Sequence, residues 1–207
     1  MRLPHLAALL AALLFVPTLQ AQKVFGGPDP DRKASTVFVF NDASETLAGV
    51  SIGYTQATWQ DSYDGMLGTS QGNYTRLGKN WWTSFDTVGT LEIGGTKIEA
   101  GSYYLGLANG TDGAFSLLLF DSKLAMKTGL LPFATTLYRG EVKAEAKVPL
   151  TLAKNSLKES VAKMEIEIAA DKGGATGKFS IRWGKHELTA PVKFHLGEAK
   201  SVVAPKK

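Results

Sequence analysis

Cysteine is absent from the 207 residues, so no disulfide stabilises the chain and no thiolate is available to a metal. Histidine is nearly as scarce: beyond the first 21 residues only His186 and His195 occur. A zinc site recruits three or four His, Cys or carboxylate ligands, so two histidines would need unusual help from Asp or Glu. No Gly-x-Ser-x-Gly elbow is present, and no spacing gathers the nucleophile, histidine and carboxylate of a serine hydrolase. Long apolar runs are missing too. The run from Leu6 to Val16 is 11 residues, whereas a helix needs about 20 to span a bilayer. Basic residues do not cluster: against a formal net charge of +4, lysines alternate with glutamates along the chain, and Lys200, Lys206 and Lys207 sit at its end. Nucleic-acid binders concentrate positive charge on one face, so a nucleic-acid partner is not expected.

What is present begins with a positive start at Arg2, the short apolar run, a break at Pro17 and a small residue at Ala21. This order predicts a bacterial secretion signal over residues 1–21, cleaved before Gln22. With no cysteine after the run, a lipoprotein anchor is excluded, and the expected location is periplasmic or secreted. Gly26-Gly27-Pro28-Asp29-Pro30 is a string of breakers, which predicts a flexible leader over 22–34. A single domain over 35–196 and a mobile polar tail over 197–207 complete the expected organisation. The domain is long enough for a two-layer core.

Within it the dominant period is two. Thr36 to Phe40 and Leu47 to Trp59 are rich in β-branched and aromatic residues, as strands are. A two-residue turn at Gly94-Gly95 would set Ile93 against Thr96, Glu92 against Lys97 and Leu91 against Ile98, with one apolar and one charge-paired face. A Gly184-Lys185 turn would likewise set Arg182 against Glu187 and Ile181 against Leu188, leaving His186 opposite Trp183. Tyr103–Ala108 and Ala114–Phe120 form a third hairpin around Asn109 to Gly113, and the second strand is apolar on both faces. Ala146–Leu152 and Ser160–Ile168 complete the strands, the latter with Ala162, Met164, Ile166 and Ile168 expected inward. Lys123 to Leu131 is the candidate helix, and Asp61 to Asn80 reads as a long surface loop. The predicted fold is all-β, an antiparallel sandwich of about 8 to 10 strands with at most one short helix.

Gly78-Lys79-Asn80-Trp81-Trp82, followed by a strand and then Ile93-Gly94-Gly95-Thr96-Lys97-Ile98-Glu99-Ala100-Gly101-Ser102-Tyr103-Tyr104-Leu105, resembles an exported bacterial family, domain of unknown function 2911. The likeness runs in order over about residues 50–195, with the Ala100-Gly101-Ser102-Tyr103 stretch the closest part. It implies an exported β domain. Where that family carries an Arg-x-Gly-Ala-Asn-Glu cluster, this chain has Trp82-Thr83-Ser84-Phe85-Asp86-Thr87, so no catalytic residue is carried over.

The most suggestive local feature is aromatic. Trp59, Tyr63, Tyr74, Trp81 and Trp82 surround a polar segment holding Asp61 and Asp64. Rings beside polar groups suit a sugar face or a peptide side chain. Because adjacent strand residues face opposite ways, at most one of Trp81 and Trp82 is expected inward. These seven residues form the candidate ligand site of a non-enzymatic binding module for a carbohydrate, a peptide or an envelope protein. The alternative reading is a hydrolase or metal-dependent enzyme using Asp61, Asp64, Asp86 or His186. No cofactor motif is present.

Overall fold

The structure is a computed structural model that describes residues 27–66, 74–110, 114–128 and 143–197. The expected signal, nearly all of the expected tail, and the end of the helix expected to reach Leu131 lie outside the described residues. The chain separates into a leading unit, Met1–Pro30, and a body, Asp31–Lys207.

The all-β expectation holds. The described part of the body carries twelve strands in one antiparallel sheet system, one short helix, and a four-residue helical turn. In chain order these are β1 (Arg32–Phe40), β2 (Thr46–Thr55), the helical turn α1 (Tyr63–Met66), β3 (Tyr74–Arg76), β4 (Thr83–Thr87), β5 (Leu91–Ile93), β6 (Thr96–Ile98), β7 (Gly101–Asn109), β8 (Phe115–Asp121), the helix α2 (Ser122–Lys127), β9 (Ala146–Ala153), β10 (Val161–Ala170), β11 (Thr176–Gly184) and β12 (His186–Phe194). β1 begins at Arg32, inside the stretch read as leader.

Both turn-based registers are present as derived. Glu92 pairs with Lys97 and Leu91 with Ile98 across Gly94-Gly95, where both glycines take the positive φ that a type I′ turn requires. Arg182 pairs with Glu187, Ile181 with Leu188 and Trp183 with His186 across Gly184-Lys185.

The principal path of the sheet runs β1-β2-β4-β7-β8-β9-β12-β11-β10. The two layers of the sandwich are continuous through β9, whose first half pairs with β8 and whose last three residues pair with β12. The free edges then approach each other. Ser35 Oγ on β1 accepts from the Ile168 N–H of β10 at 3.0 Å, a side chain doing the work of a missing ladder bond. Beyond β2 the chain crosses over, and Thr58 bridges Lys163 of β10. Asp31 clamps the same seam, bonded to Lys163 at 2.5 Å and to Lys79 at 3.4 Å. The hydrogen bond from Lys163, supported by Lys79, holds its carboxyl below the ordinary carboxylate pKa. The result is a nearly closed barrel.

Alternation sends one side of every long strand into the barrel. Ile52, Phe85, Leu105 and Leu117 come from one layer and Ile166, Phe179, Leu188 and Val192 from the other, all buried in one core. Burying each such side chain contributes about 1.5–3 kcal/mol. In β10, Met164, Ile166 and Ile168 point inward as expected, but Ala162 is exposed. The register shifts between Val161 and Glu165, four steps along β10 facing the two along β11 from Gly184 to Arg182, so the ladder is irregular where Ala162 stands.

β8 is buried on both faces. Its outer residues Leu118 and Phe120 join Trp82, Tyr104 and Ala125 of α2 in a second apolar cluster on the outside of the sheet. Asp121 caps α2 by accepting the Leu124 N–H at 2.7 Å.

Candidate functional site

At the end of the barrel where the crossover segment, β3 and the β11–β12 turn meet lies a cavity of about 330 Å³. Its position follows from strand direction. The segment after β2, the ends of β7, β9 and β11, and the starts of β8, β10 and β12 all reach this end, and their inward residues form the wall. Leu107, Phe115, Leu152, Met164, Ile181 and Leu188 make the wall mostly apolar.

Three rings from two separated parts of the chain close one side. Trp59 is carried there by the crossover, whose Trp59 N–H donates to Ala162 O at 2.8 Å while Ala57 O accepts from Met164 N–H at 2.9 Å. Trp183, at the end of β11, donates its indole Nε1–H to the same Ala57 carbonyl at 2.8 Å. Tyr63 enters from α1. Trp59 stands edge-on to Trp183 and to Tyr63, with centroids 5.2 and 5.7 Å apart, and Tyr63 lies 4.9 Å from Trp183. Edge-to-face packing is the favoured geometry for rings, so the three form a self-supporting wall.

His186 packs under Trp59 at 5.4 Å and is buried. Its Nδ1 accepts the Asn155 N–H at 3.2 Å. An amide N–H can only donate, so the ring proton sits on Nε2, which donates to Asp64 Oδ1 at 2.7 Å. Asp64 thereby ties α1, and Tyr63 with it, to the barrel. With both nitrogens engaged, the imidazole holds no lone pair turned toward a substrate.

Among the described residues, the remaining ionic side chain that borders the cavity is Arg76. It is half-buried, and burial lowers the pKa of its guanidinium. Arg76 borders the cavity, yet its side chain leaves β3 on the opposite face. It stands opposite Gly106, and a Cβ at Gly106 would meet Phe120 and Tyr74 of the outer cluster, the side that directly paired residues share. Its Nε–H donates to Gly78 O at 3.4 Å. Thr75, the exposed neighbour of Arg76 on β3, and the buried Asn109 at the end of β7 are the polar side chains on the face that carries Leu107 and Phe115.

The residues singled out from sequence therefore divide. Trp59, Tyr63 and Asp64 come together at the cavity. Tyr74 and Trp82 belong to the outer cluster, where Trp82 packs on Tyr104 and Phe120. Trp81 is 43% exposed, so one of the tryptophan pair is buried and one is not, as alternation requires. The buried one sits on the outside of the sheet under α2, away from the barrel interior. Asp61 is exposed in the turn that leads into α1, its carbonyl accepting from the Asp64 N–H. Asp86 lies on the outer face of β4 between Ser51 and Ser102. Among the described residues no three His, Asp or Glu side chains converge on a point that could hold a metal.

Trp183, Asn109 and Gly184 are the residues that sequence reasoning left out of the site. The signal for the first was present: the β11–β12 turn had already set Trp183 opposite His186, and only its partner Trp59 was unknown. Comparison with protein-family models, with curated proteins and with solved structures found no match.

Proposed function

We propose that this chain is an exported, non-catalytic binding protein that takes a small ligand into the cavity behind Trp59, Tyr63 and Trp183. The observation that carries the reading is the convergence of three rings, Trp59 and Tyr63 from one segment and Trp183 from a distant one, on a preformed space of about 330 Å³, at the lower end of the range typical of ligand pockets. Trp59 packs edge to face on both Tyr63 and Trp183, and the wall behind the rings is mostly apolar. That favours an apolar ligand, or an apolar peptide side chain, over a sugar whose hydroxyls would need many partners. The enzyme reading draws no support from the site, because His186 is engaged at both nitrogens and the carboxylates do not converge.

A titration with the neutral fluorophore 1-aminoanthracene tests this. Wild-type protein is expected to enhance its emission saturably. Trp59→Ala and Trp183→Ala should each weaken binding about tenfold or more, while Trp81→Ala should leave it unchanged. Binding that depends on Trp81 and ignores Trp59 would place the ligand elsewhere and defeat the proposal.

Export and kinship with the family of unknown function 2911 are part of the same reading, supported by the order of residues in Met1–Ala21 and by the Ala100–Tyr103 stretch. Expressed in a Gram-negative host, the protein should be recovered from the periplasm or the medium with Gln22 as its N-terminus by mass spectrometry. Recovery of the full chain from the cytosol would contradict export.

A further inference from the structure

The cavity also constrains the chemistry of its occupant. We infer that the ligand is an uncharged, largely hydrocarbon molecule of about 11 to 16 non-hydrogen atoms with at most one or two hydrogen-bonding groups, an inference that rests on the cavity being the binding site. The size follows from the 330 Å³ volume, taking about 20–30 Å³ per atom against the roughly 30 Å³ share of a water molecule.

The absence of charge from the ligand follows from where the ionic groups at this end are directed. Asp64 is committed to His186 at 2.7 Å, and His186 offers its other nitrogen to Asn155. Arg76 leaves β3 on the face of Gly106, Tyr74 and Phe120. The inward wall of Leu107, Phe115, Leu152, Met164, Ile181 and Leu188 would force a carboxylate or ammonium to shed its water with no opposite charge turned inward among the described residues to receive it. Such burial is among the costliest events in a protein interior. A hydroxyl or carbonyl loses far less, and Thr75 and the buried Asn109 lie on the same inward surface to meet it. The alkyl part is then held by dispersion and by removal of apolar area from water.

A head-group series on one alkyl chain tests the inference on the full mature protein, by displacement of 1-aminoanthracene. Decanol is expected to compete, and decanoate and decylammonium are each expected to compete about 100-fold less well or worse. Asn109→Leu should weaken decanol more than it weakens undecane; folding of the variant is checked by its melting transition, and the wild-type series decides the matter without it. Decanoate binding as well as decanol or better would show a cation in the wall, with Arg76→Gln abolishing the advantage, and would overturn the uncharged class. Decylammonium matching decanol would overturn it equally. In both cases retained 1-aminoanthracene binding leaves the cavity reading standing. If 1-aminoanthracene itself fails to bind, the binding proposal falls and this inference with it.

Discussion

Trp82→Ala is expected to destabilise the protein by about 3–5 kcal/mol and to leave ligand binding per folded molecule unchanged. Trp82 is 2% exposed and lies between Tyr104 and Phe120, 6.1 and 5.8 Å from their ring centres, with Ala125 of α2 in the same cluster. Removing the indole opens a large space between a rigid sheet and a short helix that can collapse only in part, which is the condition for a large truncation cost. Trp82→Phe provides the control. The indole Nε1 is buried and has no hydrogen-bond partner among the described residues, so replacing it by a ring without a polar atom loses volume but removes no bond to those residues. Its cost should stay below about 1.5 kcal/mol, as for other conservative apolar exchanges. Urea denaturation measures both. A fully folded Trp82→Ala protein that no longer binds 1-aminoanthracene would mean that the outer cluster belongs to the ligand site after all.

Gly184→Ala should do the opposite in kind: a moderate loss of stability, about 1–3 kcal/mol, with loss of binding. Gly184 is the first residue of the β11–β12 turn with φ at +61°, where any side chain costs roughly 1–2 kcal/mol. A Cβ there would also lie 2.5 Å from the Cε2 of Trp59. The indole would have to leave its place against Trp183 and His186, and the cavity wall would leave with it. Because the two effects share one cause, they should not add. In the Trp59→Ala background the added methyl group meets no ring, and the cost of Gly184→Ala should fall to that of its backbone alone. Additive stability losses in the double mutant would show that the glycine is required for the turn and has no part in seating the ring.

Much of this architecture could be read from local sequence. The turns at Gly94-Gly95 and Gly184-Lys185 set their strand registers because a two-residue turn leaves one pairing that puts like faces together. Leu118 and Phe120 gave away the second buried face of β8 because both parities of that strand are apolar. The failures are equally specific. Ala162 obeys the alternation on paper and is exposed in the structure, where the register with β11 slips by two residues between Val161 and Glu165, an irregularity that no local pattern records. β3 escaped notice because the three residues from Tyr74 to Arg76 are too few to show a period.

The aromatic residues show the boundary most clearly. Closeness in sequence from Trp59 to Trp82 suggested one cluster, and folding sends those rings to two sides of a sheet. Strand alternation and turn chemistry are short-range properties, so the sequence alone determined that the chain is a disulfide-free, all-β body with matched hairpin faces. Which rings meet was decided only when β9 carried the chain from one layer to the other and the segment after β2 closed onto β10. That closure brings Trp59 and Tyr63 to Trp183 across more than a hundred residues of chain, a contact that exists because the barrel does.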